Sequence, residues 1–302
     1  MKLAAIDIGS NAARLLITEV HPGDNDKAIF TKLSLVRVPL RLGFDVFESG
    51  RISDKKAGLL LHTMKGFLNL SQAFEVESMK ACATSAMRDA SNTQEIISSI
   101  KKQTGIEIEV ISGSDEASLV FENHIAENLD ARHSYLYIDV GGGSTELTFF
   151  SNHKMIFKES FNIGTIRLLK NQVPESTWNE MKETIKIRTK GFKTVVAIGS
   201  GGNINKVFSL SKRKEGKPLS LDLVRDYYKE LSNVSLKDRI NIYKLKEDRA
   251  DVIVPALKIY YSTMRWAGAS EIYVPKIGLA DGLIQHLWNE EKNKTLDKVS
   301  DE

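Results

Sequence analysis

Two short stretches of the chain place a carboxylate at the end of an apolar run and follow it with glycine. In Tyr137–Phe149, YIDVGGGSTELTF, the run delivers Asp139, then Gly141, Gly142 and Gly143, then Ser144, Thr145 and Glu146. Ala5–Ile17, AIDIGSNAARLLI, repeats the pattern with Asp7, Gly9, Ser10 and Asn11; its Asp7, Gly9 and Leu15 fall in register with Asp139, Gly141 and Leu147. Glycine lets backbone N–H groups approach an anion that a Cβ would hold away. A carboxylate beside such a turn suits a divalent cation escorting phosphate. A third turn, GSGGN at 199–203, also follows an apolar run, and the N–H groups around Gly201 and Gly202 could meet phosphate at a helix start. It is not GxGxxG, so the dinucleotide fingerprint fails.

These turns need strands to present them and helices to back them. Residues 2–8 read as a strand and 12–19 as its antiparallel return. Residues 28–38 read as a third strand, and 41–50 as a turn. Ser53 is the expected cap of a helix carrying Leu59, Leu60, Met64, Phe67 and Leu70. Strand 76–83 leads to ATSAMRDASN, with Arg88 near the start of a following helix, 92–103. Strand IEIEVI, to Ile111, is followed by a helix over 112–129 that has Asp115 and Glu116 in its first turn. Acids there interact favourably with the helix dipole, which by itself accounts for them. From 134 the programme restarts: strands at 135–140, 146–150 and 154–161, a helix at 174–189, strand 194–198, and helices at 204–210, 221–232 and 235–241. A long helix at 247–267, strand EIYVP and a final helix complete the chain, with the last ten residues frayed. The duplication predicts two related α/β domains, each bringing one phosphate loop to a shared cleft. The alternative is two unrelated turns whose aspartates are local caps.

The 302 residues suffice for two cores, and 42% hydrophobic with 27% charged residues is ordinary for a soluble globular protein. A net charge of +3 gives no argument for nucleic acid, and the basic run 211–220 reads as a solvated loop, with a channel wall for a polyanion as the alternative. A single cysteine, Cys82, permits no disulfide framework and fits a reducing, cytoplasmic compartment. The first apolar run is very short, and no later one approaches about 18 residues, so neither a signal peptide nor a membrane span is expected. The six histidines stand singly, without the spacing of a zinc or iron site.

The ordered motifs AIDIGSNAARLLI, RLG at 41–43, ATSAMRDASN, ISGSDEA, IDVGGGSTEL, IGTIRL at 163–168, the glycine turn at 199 and DRADVI at 248–253 together resemble the exopolyphosphatase and guanosine pentaphosphate phosphatase family. That family is a branch of the actin, Hsp70 and sugar-kinase superfamily. The resemblance implies two ribonuclease-H-like domains with a cleft between them, here 1–115 and 116–302. It leaves open whether the last helix, 279–291, packs back on the first domain. It also implies Mg2+-dependent release of a terminal phosphate from polyphosphate or from pppGpp, and a homodimer. By motif, Glu116 matches the base that activates water and Arg88 the arginine that contacts the transferred phosphate. Asp7, Asp139 and Glu146 take the metal positions. Ser10, Asn11, Gly141, Gly142, Gly143, Ser144, Thr145, Gly201 and Gly202 fall among the phosphate-binding positions. Asn203, Ala280 and Asp281 depart from the family pattern, where threonine, arginine and glutamate are common. The alternatives are a sensor that binds ppGpp or polyphosphate without turnover, and a kinase on the same fold.

Overall fold

The computed structural model describes residues 1–23, 28–121, 130, 132–152, 154–192, 194–275 and 277–300. By its internal contacts the chain groups into Met1–Ser112 with Ser118–Asn123 and Leu279–Glu302, and Gly113–Ala117 with His124–Gly278.

In the first unit, β1 (Lys2–Ile8) pairs antiparallel with β2 (Ala13–Pro22), and β2 with β3 (Ala28–Val38). On its other side β1 runs parallel to β4 (Ser78–Ala83), and β4 parallel to β5 (Ile108–Val110), giving the order β3-β2-β1-β4-β5. Six of the seven β1 residues are buried, so both faces of this central strand are covered. Helix α2 (Asp54–Ala73) buries Leu60, Met64 and Phe67, and starts where the Ser53 side chain accepts from the Lys56 N–H. The last helix, α13 (Leu279–Ser300), packs on β1, β2 and β4 and buries Leu283, Ile284 and Leu287. It continues through most of the stretch expected to fray.

The second unit repeats this layout. Here β6 (Ser134–Val140), β7 (Thr145–Ser151) and β8 (Lys154–Phe161) form the antiparallel half. β9 (Val195–Ser200) and β11 (Glu271–Tyr273) continue in parallel, and β10 (Leu219–Ser220) joins as an extra edge, for the order β10-β11-β9-β6-β7-β8. Leu136, Ile138, Leu147 and Phe149 of the sheet pack with Met181 and Ile185 of α7 (Glu175–Thr189), and with Ile204 and Val207 of α8 (Gly202–Leu210). Helix α12 (Ile253–Ala267) adds Leu257, Tyr260 and Met264. The α/β class and the duplicated sheet are both present.

Three expectations require correction. Residues 41–50 are not a turn: α1 (Leu42–Ser49) forms there, burying Leu42, Val46 and Phe47 and ending at Gly50 with φ 70°. Arg88 does not begin the following helix. It sits in the last turn of a separate α3 (Ser85–Asp89), cut off from α4 (Thr93–Thr104) by extended Ala90 and by Asn92, whose side chain bonds both the N–H and C=O of Ile52. The single helix expected over 247–267 is two, α11 (Glu247–Ala250) and α12. Pro255 explains the break, because it lacks an N–H and its ring would collide with the carbonyl of Asp251 in a continuous helix; in the first turn of α12 it is tolerated. The helix expected over 112–129 is present as α5 (Gly113–Phe121), while 122–129 lie outside the described residues.

Candidate active site

The two glycine turns are built alike. The Gly9 N–H donates to the Ala12 carbonyl at 3.0 Å, and the Gly141 N–H to the Ser144 carbonyl at 2.9 Å. Strand pairing then sets Asp7 opposite Arg14 in the first unit and Asp139 opposite Glu146 in the second. At this pair the copies part. Arg14 Nη1 donates to Asp7 Oδ2 at 2.5 Å, so the first unit's strand-end acid holds a guanidinium. In the second unit Glu116 of α5 joins Asp139 and Glu146, and the three offer carboxylate oxygens that all lie within 4.8 Å of one another. Glu146 and Glu116 are 3% and 9% exposed.

Three carboxylates this close repel one another, and the repulsion grows as water is excluded. A divalent cation relieves it. An all-oxygen donor set is the type that suits Mg2+, Mn2+ or Ca2+, so the residues present fit such an ion.

The triple-glycine loop is oriented from behind. Its carbonyls are taken by the start of α6 (Thr165–Leu169): the Thr165 N–H donates to Gly141 O at 3.0 Å and the Ile166 N–H to Gly142 O at 2.8 Å, while Arg167 Nε donates to Gly143 O at 2.8 Å. In a trans peptide the N–H points opposite to the carbonyl, so the N–H groups of Gly142, Gly143 and Ser144 turn away from α6. Gly164 makes this possible, since a Cβ there would overlap the Gly142 and Gly143 backbone.

The third turn meets the cluster. Gly201 has φ 107°, and an ideal Cβ on it would stand 3.3 Å from Asp139 Oδ1 and 3.5 Å from the Tyr260 hydroxyl. That hydroxyl donates to the Ser200 carbonyl. Burial first, and then the charge of Asp139, push it well above the usual tyrosine range, so it remains a donor. The Arg249 guanidinium lies over Gly202 and donates to its carbonyl.

Each residue singled out from the sequence thus has a place. In the second unit, Glu116, Asp139 and Glu146 come together, and Gly201 abuts Asp139. Ser144 is buried, and Thr145 is fully buried with its hydroxyl donated to the Ile163 carbonyl at 2.5 Å, so that hydroxyl braces the loop. In the first unit, Ser10 Oγ and Ser85 Oγ lie 2.7 Å apart, Arg41 N–H donates to Asn11 O, and Arg88 Nη1 donates to Ile111 O at 2.9 Å. Ser160, whose hydroxyl donates to Glu146 Oε1 at 2.9 Å, Arg249 and Tyr260 were given no role from the sequence. The DRADVI motif was the available signal for Arg249. Asp281 pairs with Lys32 at 2.5 Å within the first unit, and Ala280 is buried.

Comparison with known proteins agrees with this architecture. Exopolyphosphatase 1 of Mycobacterium tuberculosis is 26% identical over 98% of this chain and 90% of its own. The crystal structure of an exopolyphosphatase from Cytophaga hutchinsonii superposes with a TM-score of 0.82 at 25% identity, covering 96% of this chain and 98% of that one. The Aquifex aeolicus Ppx/GppA family member gives 0.75 at 25%, over 96% and 98%. Residues 17–291 match the Ppx/GppA phosphatase family, and the chain belongs to it.

Proposed function

We propose that the protein hydrolyses the terminal phosphoanhydride bond of inorganic polyphosphate, with pppGpp as a second substrate of the same chemistry. The observation that carries this reading is the acid pair Asp139–Glu146 joined by Glu116, where the first unit has an ion pair instead.

In this reading Asp139 and Glu146 hold Mg2+, which when bound supplies positive charge to the phosphate oxygens and makes a nearby water easier to deprotonate. Glu116 accepts the proton of the attacking water as general base. The N–H groups of the 141–144 loop receive phosphate oxygens, a task that needs backbone turned away from α6. Tyr260 holds the Ser200 carbonyl on the strand paired beside Asp139, and Gly201 lies against Asp139. Arg88 takes the role the resemblance implies, countering charge that develops on the transferred phosphate.

The test is phosphate release from long-chain polyphosphate and from pppGpp, assayed in parallel with added Mg2+. Release from polyphosphate supports the reading, and the ratio of the two rates names the preferred substrate. Tight binding of either without release would replace it with the sensor reading.

A further inference from the structure

We propose that Ser160 is a positioning residue for the carboxylate cluster, fixing Glu146 through its hydroxyl and seating the helix start that carries Glu116. The proposal rests on the reading of Asp139 and Glu146 as the cation site, with Glu116 beside them.

Ser160 on β8 is the direct cross-strand partner of Glu146 on β7, so their side chains share a face of the sheet. Its Oγ donates to Glu146 Oε1 at 2.9 Å. A glutamate side chain has three rotatable bonds, and a hydrogen bond at one oxygen removes much of that freedom. The same serine also meets α5. An ideal Cβ on Gly113, the first residue of that helix, would lie 2.5 Å from Ser160 Oγ, 2.6 Å from Ser160 Cβ and 3.5 Å from Glu146 Oε1. The helix start therefore rests on Ser160 as closely as glycine permits, and Glu116 follows three residues on. One small side chain thus touches the supports of two of the three carboxylates.

The first unit supplies the contrast. The row of cross-strand partners there reads Asp7, Arg14, Arg37; in the second unit it reads Asp139, Glu146, Ser160. An arginine at 160 would bring a full positive charge to Glu146 and compete with a cation. A hydroxyl orients the carboxylate without neutralising it, which is what a ligand to a cation requires.

The experiment is Mn2+ binding to the metal-free full chain, by calorimetry, for the natural protein, Ser160→Ala, Ser160→Cys and Glu146→Gln, with thermal unfolding to confirm folding. Loss of such a supporting hydrogen bond is expected to weaken Mn2+ binding about 10- to 100-fold in Ser160→Ala. Phosphate release at saturating Mn2+ should return to within a few-fold of the natural rate. Ser160→Cys fills nearly the same space with a poorer donor and should shift affinity in the same direction. A purely structural role would lower the unfolding midpoint and the saturated rate while leaving affinity alone, and that result overturns the proposal. Natural affinity in both serine variants, with affinity lost in Glu146→Gln, overturns it and leaves the cluster reading intact. Equal binding by the natural protein and Glu146→Gln would instead remove the cluster reading, and this proposal with it.

Discussion

Glu146 and Arg14 occupy the same place in two copies of one strand pair, and the difference decides what each loop can hold. Glu146→Gln removes one anionic donor while keeping the shape, so it should weaken Mn2+ binding at least tenfold with the unfolding midpoint nearly unchanged; calorimetry and a thermal melt check both. Tyr260→Phe tests the hold on the strand paired beside Asp139. It leaves the Ser200 carbonyl without its buried donor, which should cost about 1–3 kcal/mol in denaturant unfolding. Asp7 and Asp139 were legible in the sequence because each ends an apolar run and precedes glycine. Glu116 was ambiguous on its residues alone, since an acid in a first helical turn needs no further reason. Ser160 and Tyr260 were not legible: a serine late in a strand and a tyrosine in an apolar helix carry no local mark, and only strand register and packing bring them to the cluster.

At the scale of elements, the loop depends on what stands behind it. Gly164→Ala would drive a Cβ into the Gly142–Gly143 backbone, so the loop or α6 must move. The expected outcome is a loss of about 1–3 kcal/mol in stability together with a loss of phosphate release. A stable variant with full activity would show that the loop's aim does not matter. Ser53→Ala, at the cap of α2, should cost about 1 kcal/mol and leave activity unchanged, which makes it a useful control. Strands were read well because their apolar runs and glycine stops are local signals. α1 was missed because a two-turn helix offers few periods; its Leu42, Val46 and Phe47 spacing and the Gly50 stop mark it in retrospect. The break before α12 was available from Pro255, whose steric demand falls on a residue four positions earlier.

At the scale of the whole molecule, the C-terminal helix completes the unit formed by the N-terminal sheet. Burial works against ionisation of Glu290, yet Lys80 Nζ at 3.0 Å and His286 outweigh it and hold the carboxyl below the usual glutamate range. A lowered folded pKa stabilises above the ordinary glutamate value and is lost as pH falls through the lowered one. The unfolding midpoint should therefore drop on acidification below about pH 4.5, and Glu290→Gln should flatten that slope. Among the described residues no helix is long and apolar enough to cross a membrane. The duplicated sheet was visible in the sequence as two matching loops. That 279–302 belongs with the first unit was not, because a helix's amphipathic face does not say which sheet it covers.

Hydrolysis with Glu116 as base is tested most directly by phosphate release from long-chain polyphosphate with Mg2+, comparing the natural protein with Glu116→Gln. Steady release by the natural protein and a fall of about 10²- to 10⁴-fold in the variant are expected, with both proteins folded. Equal rates in the two would contradict the assignment of Glu116 as base, and no release from the folded natural protein would contradict the hydrolase reading itself.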